Sequence, residues 1–309
     1  MNFQELQMLK ALPLEIKIVK SKLRIQEWVD YYGENGVYIS FSGGKDRTVL
    51  LHLVRSLYPN IKAVFCDTGL EYPSIKEFVN NTPNVEIIRP KLSFKQVIEK
   101  YGYPVISKEQ SHYIYIVRNT KSDDLRNKHL LGVNKDGSKT KYTISKKWRF
   151  ALQAPFKISD NCCEVMKKRP FKSYEKKNDV KPFIGTLTEE SILRQQQYLK
   201  HNCNSFKAKR PTSTPLSFWT EQDILEYLVI YNIPIAEPYG KIIKDDKGLY
   251  TTSKCKRTGC TYCLYGINQE QKYGLNRLEL LKDSEPLIYD YCMNKLGFKE
   301  VCDFMGIRY

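Results

Sequence analysis

The stretch Val37-Tyr38-Ile39-Ser40-Phe41-Ser42-Gly43-Gly44-Lys45-Asp46 decides how this chain is read. Five residues of strand-like composition run into a glycine pair. A helix-like segment from Thr48 to Leu57 follows, with Val49, Leu50, Leu53, Val54 and Leu57 spaced for one buried face. Strand, tight turn and helix start in that order put consecutive backbone N–H groups into an anion-binding nest, and the helix dipole adds positive potential there. The glycines permit positive φ and close backbone approach, and Lys45 adds a mobile charge. The loop is a candidate phosphate cradle. It lacks the G-x-x-x-x-G-K-[ST] of a Walker A loop and the G-x-G-x-x-G of a dinucleotide fingerprint.

Working outward, Leu14 to Tyr32 reads as an amphipathic helix with Ile18, Ile25, Trp28, Val29 and Tyr32 inward. A second strand, Ile61–Cys66, ends at Asp67-Thr68-Gly69. A third, Val85–Ile88, ends near Arg89-Pro90, and Ser93 caps a helix running to Tyr101. Strands alternating with helices imply an α/β fold, a Rossmann-like parallel sheet flanked by helices. Ligands of such sheets bind outside the carboxyl ends of the strands, where the glycine loop and Asp67-Thr68-Gly69 both lie. The expected division is a nucleotide-binding domain over 1–200 and a C-terminal, cysteine-bearing helical and irregular region over 201–309. The first carries a basic insertion at about 118–150. Arg118 to Arg149 holds ten Lys/Arg against three Asp, with Asp136-Gly137 as a turn signal. It reads as a basic hairpin or mobile loop, either solvated or gripping phosphates.

The 309 residues carry 50 Lys+Arg and 34 Asp+Glu, a net charge of +16. A solvated basic surface explains this; so does a polyanionic partner such as nucleic acid. No apolar run is long enough for a membrane span, and Met1 to Leu12 lack a secretory pattern, so the cytoplasm is expected. Nine cysteines in a chain of that character argue against a disulfide framework and for metal or redox chemistry. Cys255-x4-Cys260-x2-Cys263 suits three thiolates on one centre, with Cys162 or Cys163 as a fourth. By softness alone Zn²⁺ and an Fe–S cluster fit equally. Cys66, Cys203, Cys292 and Cys302 read as packing. His52, His112, His129 and His201 show no ligand spacing, and there is no G-x-S-x-G elbow.

Ser42-Gly43-Gly44-Lys45-Asp46 after a strand resembles the PP-loop of the adenine nucleotide α-hydrolase superfamily, whose members hold ATP by its terminal phosphates, react at the α-phosphate and release pyrophosphate. Val64 to Pro73 resembles the second segment of its sulfonucleotide reductase branch. Gly185-Thr186-Leu187-Thr188-Glu189-Glu190-Ser191 with Arg194 resembles the G-x-R-x-x-E-S-x-x-R segment of PAPS reductases, and Pro215 to Trp219 matches the same family. Two residues depart from the pattern. Arg47 stands where Ser or Thr is usual, with Thr48 one place later, and Leu187 stands where Arg is usual. Cys162-Cys163 with Lys167 and a remote Cys-x-x-Cys resembles the [4Fe–4S] site of assimilatory APS reductases. A single upstream Cys with the downstream three also resembles the cluster-bearing ATP pyrophosphatase of bacterial DNA phosphorothioation.

The resemblance implies nucleotide contacts from Ser40, Ser42, Gly43, Gly44, Lys45, Asp46, Asp67, Thr68, Gly69, Glu190 and Ser191. It implies catalytic roles for Lys45, Asp46, Lys167 and Arg194, and Mg²⁺ on the phosphates of ATP. It implies a [4Fe–4S] cluster, or Zn²⁺ as the alternative, on four of Cys162, Cys163, Cys255, Cys260 and Cys263. A nucleic-acid acceptor and a sulfur donor such as a cysteine desulfurase are the partners it suggests. ATP-dependent sulfur transfer ranks above APS or PAPS reduction, because the motif Glu-Cys-Gly-Leu-His is absent around Cys302. A non-catalytic nucleotide-binding module regulating a nucleic-acid complex is the third reading.

Overall fold

The computed structural model describes residues 2–274 and 276–309. Its helices are α1 (Phe3–Lys10), α2 (Leu14–Tyr32), α3 (Lys45–Arg55), α4 (Pro73–Asn80), α5 (Phe94–Tyr101), α6 (Lys108–Asn119), α7 (Asp123–Leu130), α8 (Asn161–Cys163), α9 (Arg169–Asn178), α10 (Ile192–His201), α11 (Glu221–Ile230), α12 (Ile267–Lys272), α13 (Arg277–Ser284), α14 (Pro286–Asp290) and α15 (Phe298–Met305). The strands are β1 (Val37–Phe41), β2 (Ala63–Cys66), β3 (Val85–Ile88), β4 (Lys181–Ile184), β5 (Ile242–Lys244) and β6 (Tyr250–Thr252). No helix among the described residues is long and apolar enough to cross a membrane.

Two units interleave along the chain. The first takes Met1–Asp67, Glu71–Arg89 and Pro170–Gly259; the second takes Thr68–Leu70, Pro90–Arg169 and Cys260–Tyr309. The expected single division near residue 200 gives way to this pattern. The reason is burial: Leu216, Trp219 and Leu228, all beyond residue 200, pack in the same core as Ile39, Phe41 and Phe65.

In the first unit β1 to β4 form one parallel sheet in the order β3-β2-β1-β4. Side chains alternate between faces along β1. Val37, Ile39 and Phe41 enter the main core with Trp28, Val49 and Leu53, while Tyr38 packs on the opposite face with Val64, Val180, Phe171 and Tyr174. Burial on both faces is the normal condition of a parallel sheet. From β1 the chain moves outward through β2 to β3; β4 then joins the other side of β1. Strand order therefore reverses between β1 and β4, and their carboxyl ends flank the crevice where such sheets take ligands. The motif Pro215–Trp219 is structural: Trp219 Nε1–H donates to Ser21 Oγ at 2.9 Å, and Ser21 donates to the Pro215 carbonyl at 2.8 Å.

Helix α3 begins at Lys45 rather than at the expected Thr48, because Gly44 adopts an extended conformation and serves as its N-cap. Lys45 and Asp46 are thus its first turn. In the second unit Phe94, Tyr103, Tyr262 and Phe298 form an aromatic cluster with ring centroids 5.3–6.3 Å apart. The basic segment 118–149 departs from a hairpin or mobile loop. It completes α6, forms α7, and keeps only one antiparallel bridge, Val133↔Lys139, around Asp136-Gly137. Ser122 caps α7, with Asp123 and Asp124 in its first turn and Lys128 and His129 in its last. His129 stacks on Tyr113 at 4.5 Å, and its Nδ1–H donates to the Tyr142 carbonyl at 2.8 Å.

Candidate functional site

The glycine loop leaves β1 at Phe41 and turns through Gly43, whose φ is +69°. A Cβ on Gly43 would stand 3.0 Å from Ile75 Cγ2 and 3.2 Å from Val79 Cγ2, so α4 packs directly on the turn. Ser40 lies within β1, in register with Val64 and Ile184. The Lys45 backbone N–H donates to the Tyr239 hydroxyl at 3.3 Å, and that hydroxyl lies 3.0 Å from Thr258 Oγ1. Tyr239 and the segment after Cys255 thus border the loop, which local patterning did not indicate. Thr48 cannot stand in for the hydroxyl displaced by Arg47, since its Oγ1 donates backward to the Gly44 carbonyl at 3.1 Å.

Lys45 is 3 % exposed. Its ammonium lies 3.1 Å from Asp46 Oδ1 and 3.1 Å from Glu221 Oε1. Burial works against its charge, but these two carboxylates prevail and hold its pKa above the ordinary lysine value. Glu221, in the first turn of α11, was not singled out by the sequence reading.

Across the switch point Gly185 follows β4. A Cβ there would meet Arg47 Cγ at 3.2 Å and the Asp46 carbonyl at 3.2 Å. Arg47 fits because Gly185 has no side chain. Leu187 is buried in the main core, and its N–H donates to Glu190 Oε2 at 3.0 Å. Glu190 also pairs with Arg194 and with Arg257, the latter at 3.5 Å. Ser191 caps α10, its Oγ accepting the Arg194 N–H at 3.3 Å. Arg194 holds its proton less tightly than usual, at about 10, chiefly through burial and then through the charges of Arg47 and Arg257. Lys45, Asp46, Glu190, Ser191 and Arg194 therefore meet at one place, with Arg47 and Arg257 added. Asp67 carries ion pairs to Lys76 at 2.8 Å and Arg89 at 3.4 Å in the same unit. Thr68 and Gly69 belong to the second unit; Thr68 Oγ1 accepts the Leu70 N–H at 3.2 Å.

Cys162, Cys163, Cys260 and Cys263 belong to the second unit, and Cys255 to the first. Burial, then the neighbouring Cys163, Cys260 and Cys263, raises the Cys162 thiol far above its ordinary range, and Lys167 opposes this. Cys263 is pushed up to about 11 by burial and then by Cys260. Cys163 and Cys260 thus bear on both Cys162 and Cys263. Cys162-Cys163 lead into a π-helical turn, Glu164–Lys168, of the kind that often marks functional sites. A cavity of about 260 Å³ beside Cys163 is lined by Lys108, His112, Asp160 and Lys168, with His112 Nδ1 3.1 Å from Asp160. Cys255 instead packs with Ile75, Ala236 and Tyr239. Among the described residues no group of three or more His, Cys, Asp or Glu side chains is gathered to hold a metal ion. Cys302 is fully buried, and its thiol is pushed up to about 12 by burial. A larger cavity of about 600 Å³ has apolar walls from Leu51, Phe78 and Ile233. Its His52 is engaged by the Tyr227 hydroxyl and its Arg55 by the carbonyls of Pro83 and Asn84.

The sequence model of the phosphoadenosine phosphosulfate reductase domain matches residues 36–126 and 119–265, and the chain belongs to this family. An uncharacterized protein of Methanocaldococcus jannaschii is 24% identical over 233 residues, covering 75% of this chain and 42% of that protein. An adenosine 5'-phosphosulfate reductase of Bacillus cereus is 29% identical over 89 residues, 27% of this chain and 38% of that enzyme. The chain spans less than half the length of these curated relatives. A phosphoadenylyl-sulfate reductase structure from Candida auris aligns with a TM-score of 0.43 at 13% identity, over 81% of this chain and 98% of that one. Candida glabrata FMN adenylyltransferase in complex with ATP aligns with a TM-score of 0.41 at 14% identity, over 76% and 65%.

Proposed function

We propose that this chain binds ATP at the β1–β4 switch point and activates an acceptor by reaction at the α-phosphate, releasing pyrophosphate, for sulfur transfer. The observation that carries the reading is the convergence of the glycine loop, Lys45 and Arg194 where strand order reverses. An acceptor oxygen forms a bond to the α-phosphorus, the α–β bridging P–O bond breaks, and pyrophosphate leaves with the electron pair. The acceptor proton passes to water. The loop N–H groups, Lys45 and Arg194 stabilise the charge that develops. Mg²⁺ would be held by the phosphates and Asp46, neutralising phosphate charge. Hydrosulfide then bonds to the acceptor atom that bears the adenylate, the bond from that atom to oxygen breaks, and AMP leaves with the oxygen and the electron pair; a cysteine desulfurase persulfide supplies the hydrosulfide once a thiol reductant has cleaved its S–S bond. Nucleic acid is the acceptor class that the net charge of +16 favours.

Cys162, Cys163, Cys260 and Cys263 are the four thiols we assign to a [4Fe–4S] cluster, with Zn²⁺ as the alternative. The all-thiol donor set suits either. The cluster is preferred because Cys162-Cys163 with Lys167 and a remote Cys-x-x-Cys resemble the [4Fe–4S] site of assimilatory APS reductases. When bound, the cluster would supply a soft centre for sulfur ligation. Anaerobic purification with a visible spectrum and iron and zinc analysis tests it: a colourless protein with one zinc overturns the assignment.

Reduction of APS or PAPS is the second reading, favoured by the family and the Bacillus relatives. It needs a nucleophilic thiolate near the substrate, and the burial of Cys302 weighs against that residue. Pyrophosphate release from ATP and Mg²⁺, measured beside thioredoxin-dependent sulfite release from APS and PAPS, separates the two. ATP binding without turnover of any acceptor would leave a regulatory module.

A further inference from the structure

The cations around the phosphate loop are not equally matched. Lys45 has two carboxylates, Asp46 and Glu221, at 3.1 Å each. Two guanidiniums share one, Glu190: Arg194 pairs with its Oε2, and Arg257 Nη1 lies 3.5 Å from its Oε1. Among the described residues no carboxylate pairs with Arg47. Its stem lies against Gly185, and its Nη1 is 3.9 Å from the point where a Cβ on Gly44 would stand. The guanidinium therefore faces the loop. Arg194 feels both Arg47 and Arg257 as like charges. Such crowding is stable when an anion lies among the cations.

We propose that Arg47, Arg194 and Arg257 clamp the terminal phosphate of a nucleoside triphosphate, making this site selective for triphosphates over monophosphates and sulfonucleotides. The inference rests on the ATP reading of the same loop and assigns the specificity within it. The terminal group of a triphosphate carries the most charge, and planar guanidinium forks match its oxygens bidentately. AMP, whose phosphate is also a dianion near neutral pH, has no group at the terminal position, and the sulfonucleotide APS ends there in a singly charged sulfate. The clamp draws on three separate segments. Arg47 is in the first turn of α3, Arg194 is in the first turn of α10, and Arg257 follows β6. The Tyr239 hydroxyl ties the third segment to the first, meeting both the Lys45 N–H and Thr258. Glu190 holds two of the guanidiniums in register. Arg47 and Leu187, the two departures from the family pattern, thus acquire accounts: one supplies charge at the loop, the other packs in the core.

Isothermal titration calorimetry with ATP, ADP, AMP and APS tests the clamp on the wild type and on Arg47→Ala, Arg47→Lys and Arg257→Ala, with thermal melts confirming folding. The wild type should prefer ATP. Each alanine variant should lose roughly tenfold or more in ATP affinity, the scale of one charge-assisted hydrogen bond, with AMP affinity changed less than about twofold. Arg47→Lys should keep part of the preference. Equal losses for ATP and AMP would mean that the arginines only brace the fold, and unchanged ATP affinity would also overturn the clamp. In both of those cases the ATP reading survives if the wild type still releases pyrophosphate. A wild type that prefers APS, or binds no ATP, overturns both.

Discussion

Arg47 shows how a single position can be chemically loud and still unreadable in sequence. A guanidinium in a glycine loop is an obvious charge, but its place depends on Gly185, far along the chain and adjacent only in the sheet. The loop glycines, Lys45, Glu190 and Arg194 were legible because each sits in a local pattern. Glu221, Tyr239 and Arg257 were not, because they reach the loop through tertiary packing alone. The same holds for Lys17, 2 % exposed, whose ammonium donates to Asp223 Oδ2 at 2.6 Å and to the Lys10 carbonyl at 2.7 Å. Asp223→Ala leaves that ammonium buried and unpaired and should cost about 3–5 kcal/mol in urea unfolding. Lys17→Met should cost less, because Asp223 still accepts from the Thr220 N–H and hydroxyl. Buried thiols give a pH signature. Cys203 and Cys302 are both pushed up to about 12 from 9.0, by burial above all. Unfolded they ionise near pH 9; folded they stay protonated. Their stabilisation is complete below about pH 9 and is lost as pH rises toward 12. Urea midpoints should therefore hold to pH 9 and fall beyond it, and a Cys203→Ala/Cys302→Ala variant should show a shallower fall. Pyrophosphate release should persist in Cys302→Ala; thioredoxin-dependent sulfite release from APS or PAPS that this variant loses would support the reductase reading.

At the scale of elements, hydrophobic period and caps predicted α2, β1, β3 and α5 at their observed bounds, since each has a complete local signal. Helix α3 begins three residues early because Gly44, extended, lets Lys45 and Asp46 enter the first turn. That shift has functional weight: it puts the N–H groups at the helix start beneath the site the phosphates would occupy. Helix α7 was missed because a run of lysines hid an ordinary cap, Ser122 followed by two aspartates. The turn at Gly43 is the element's weak point. Gly43→Ala would add a φ cost of roughly 1–2 kcal/mol and press Ile75 and Val79 away from the loop. ATP affinity should fall by tenfold or more. Gly33→Ala is the control, with φ +75° and nothing within 4 Å of its Cβ. It should show the backbone cost in thermal melts and leave ATP binding intact.

At the scale of the whole molecule, the sheet was legible and the division of the chain was not. Hydrophobic periodicity reports that a face is buried; it does not report which unit buries it, so residues 170–259 were assigned across a boundary that the core of the first unit does not respect. Net charge is the property that sequence reports best at this scale, and its distribution is uneven. Residues 118–149 hold ten Lys/Arg, and Lys139, Lys141, Lys146 and Lys147 are all exposed. Aromatic rings are interleaved with them: Lys147 lies 4.4 Å over Trp148, and Tyr142 and Phe150 are exposed. Cations that track a backbone, beside rings on which bases stack, are the features that bind single strands without sequence preference. If nucleic acid is the acceptor, affinity for a single-stranded oligonucleotide should fall steeply with salt. Reversing those four lysines to glutamate should make the plot of log K against log salt shallower by about 3, at roughly 0.7 for each phosphate no longer neutralised. ATP affinity serves as the internal control, since these lysines belong to the second unit and the phosphate loop to the first. An unchanged slope with weakened ATP binding would show that the charge serves the nucleotide site. An unchanged slope with unchanged ATP binding would return the segment to a solvated surface and move the search for the acceptor to small molecules.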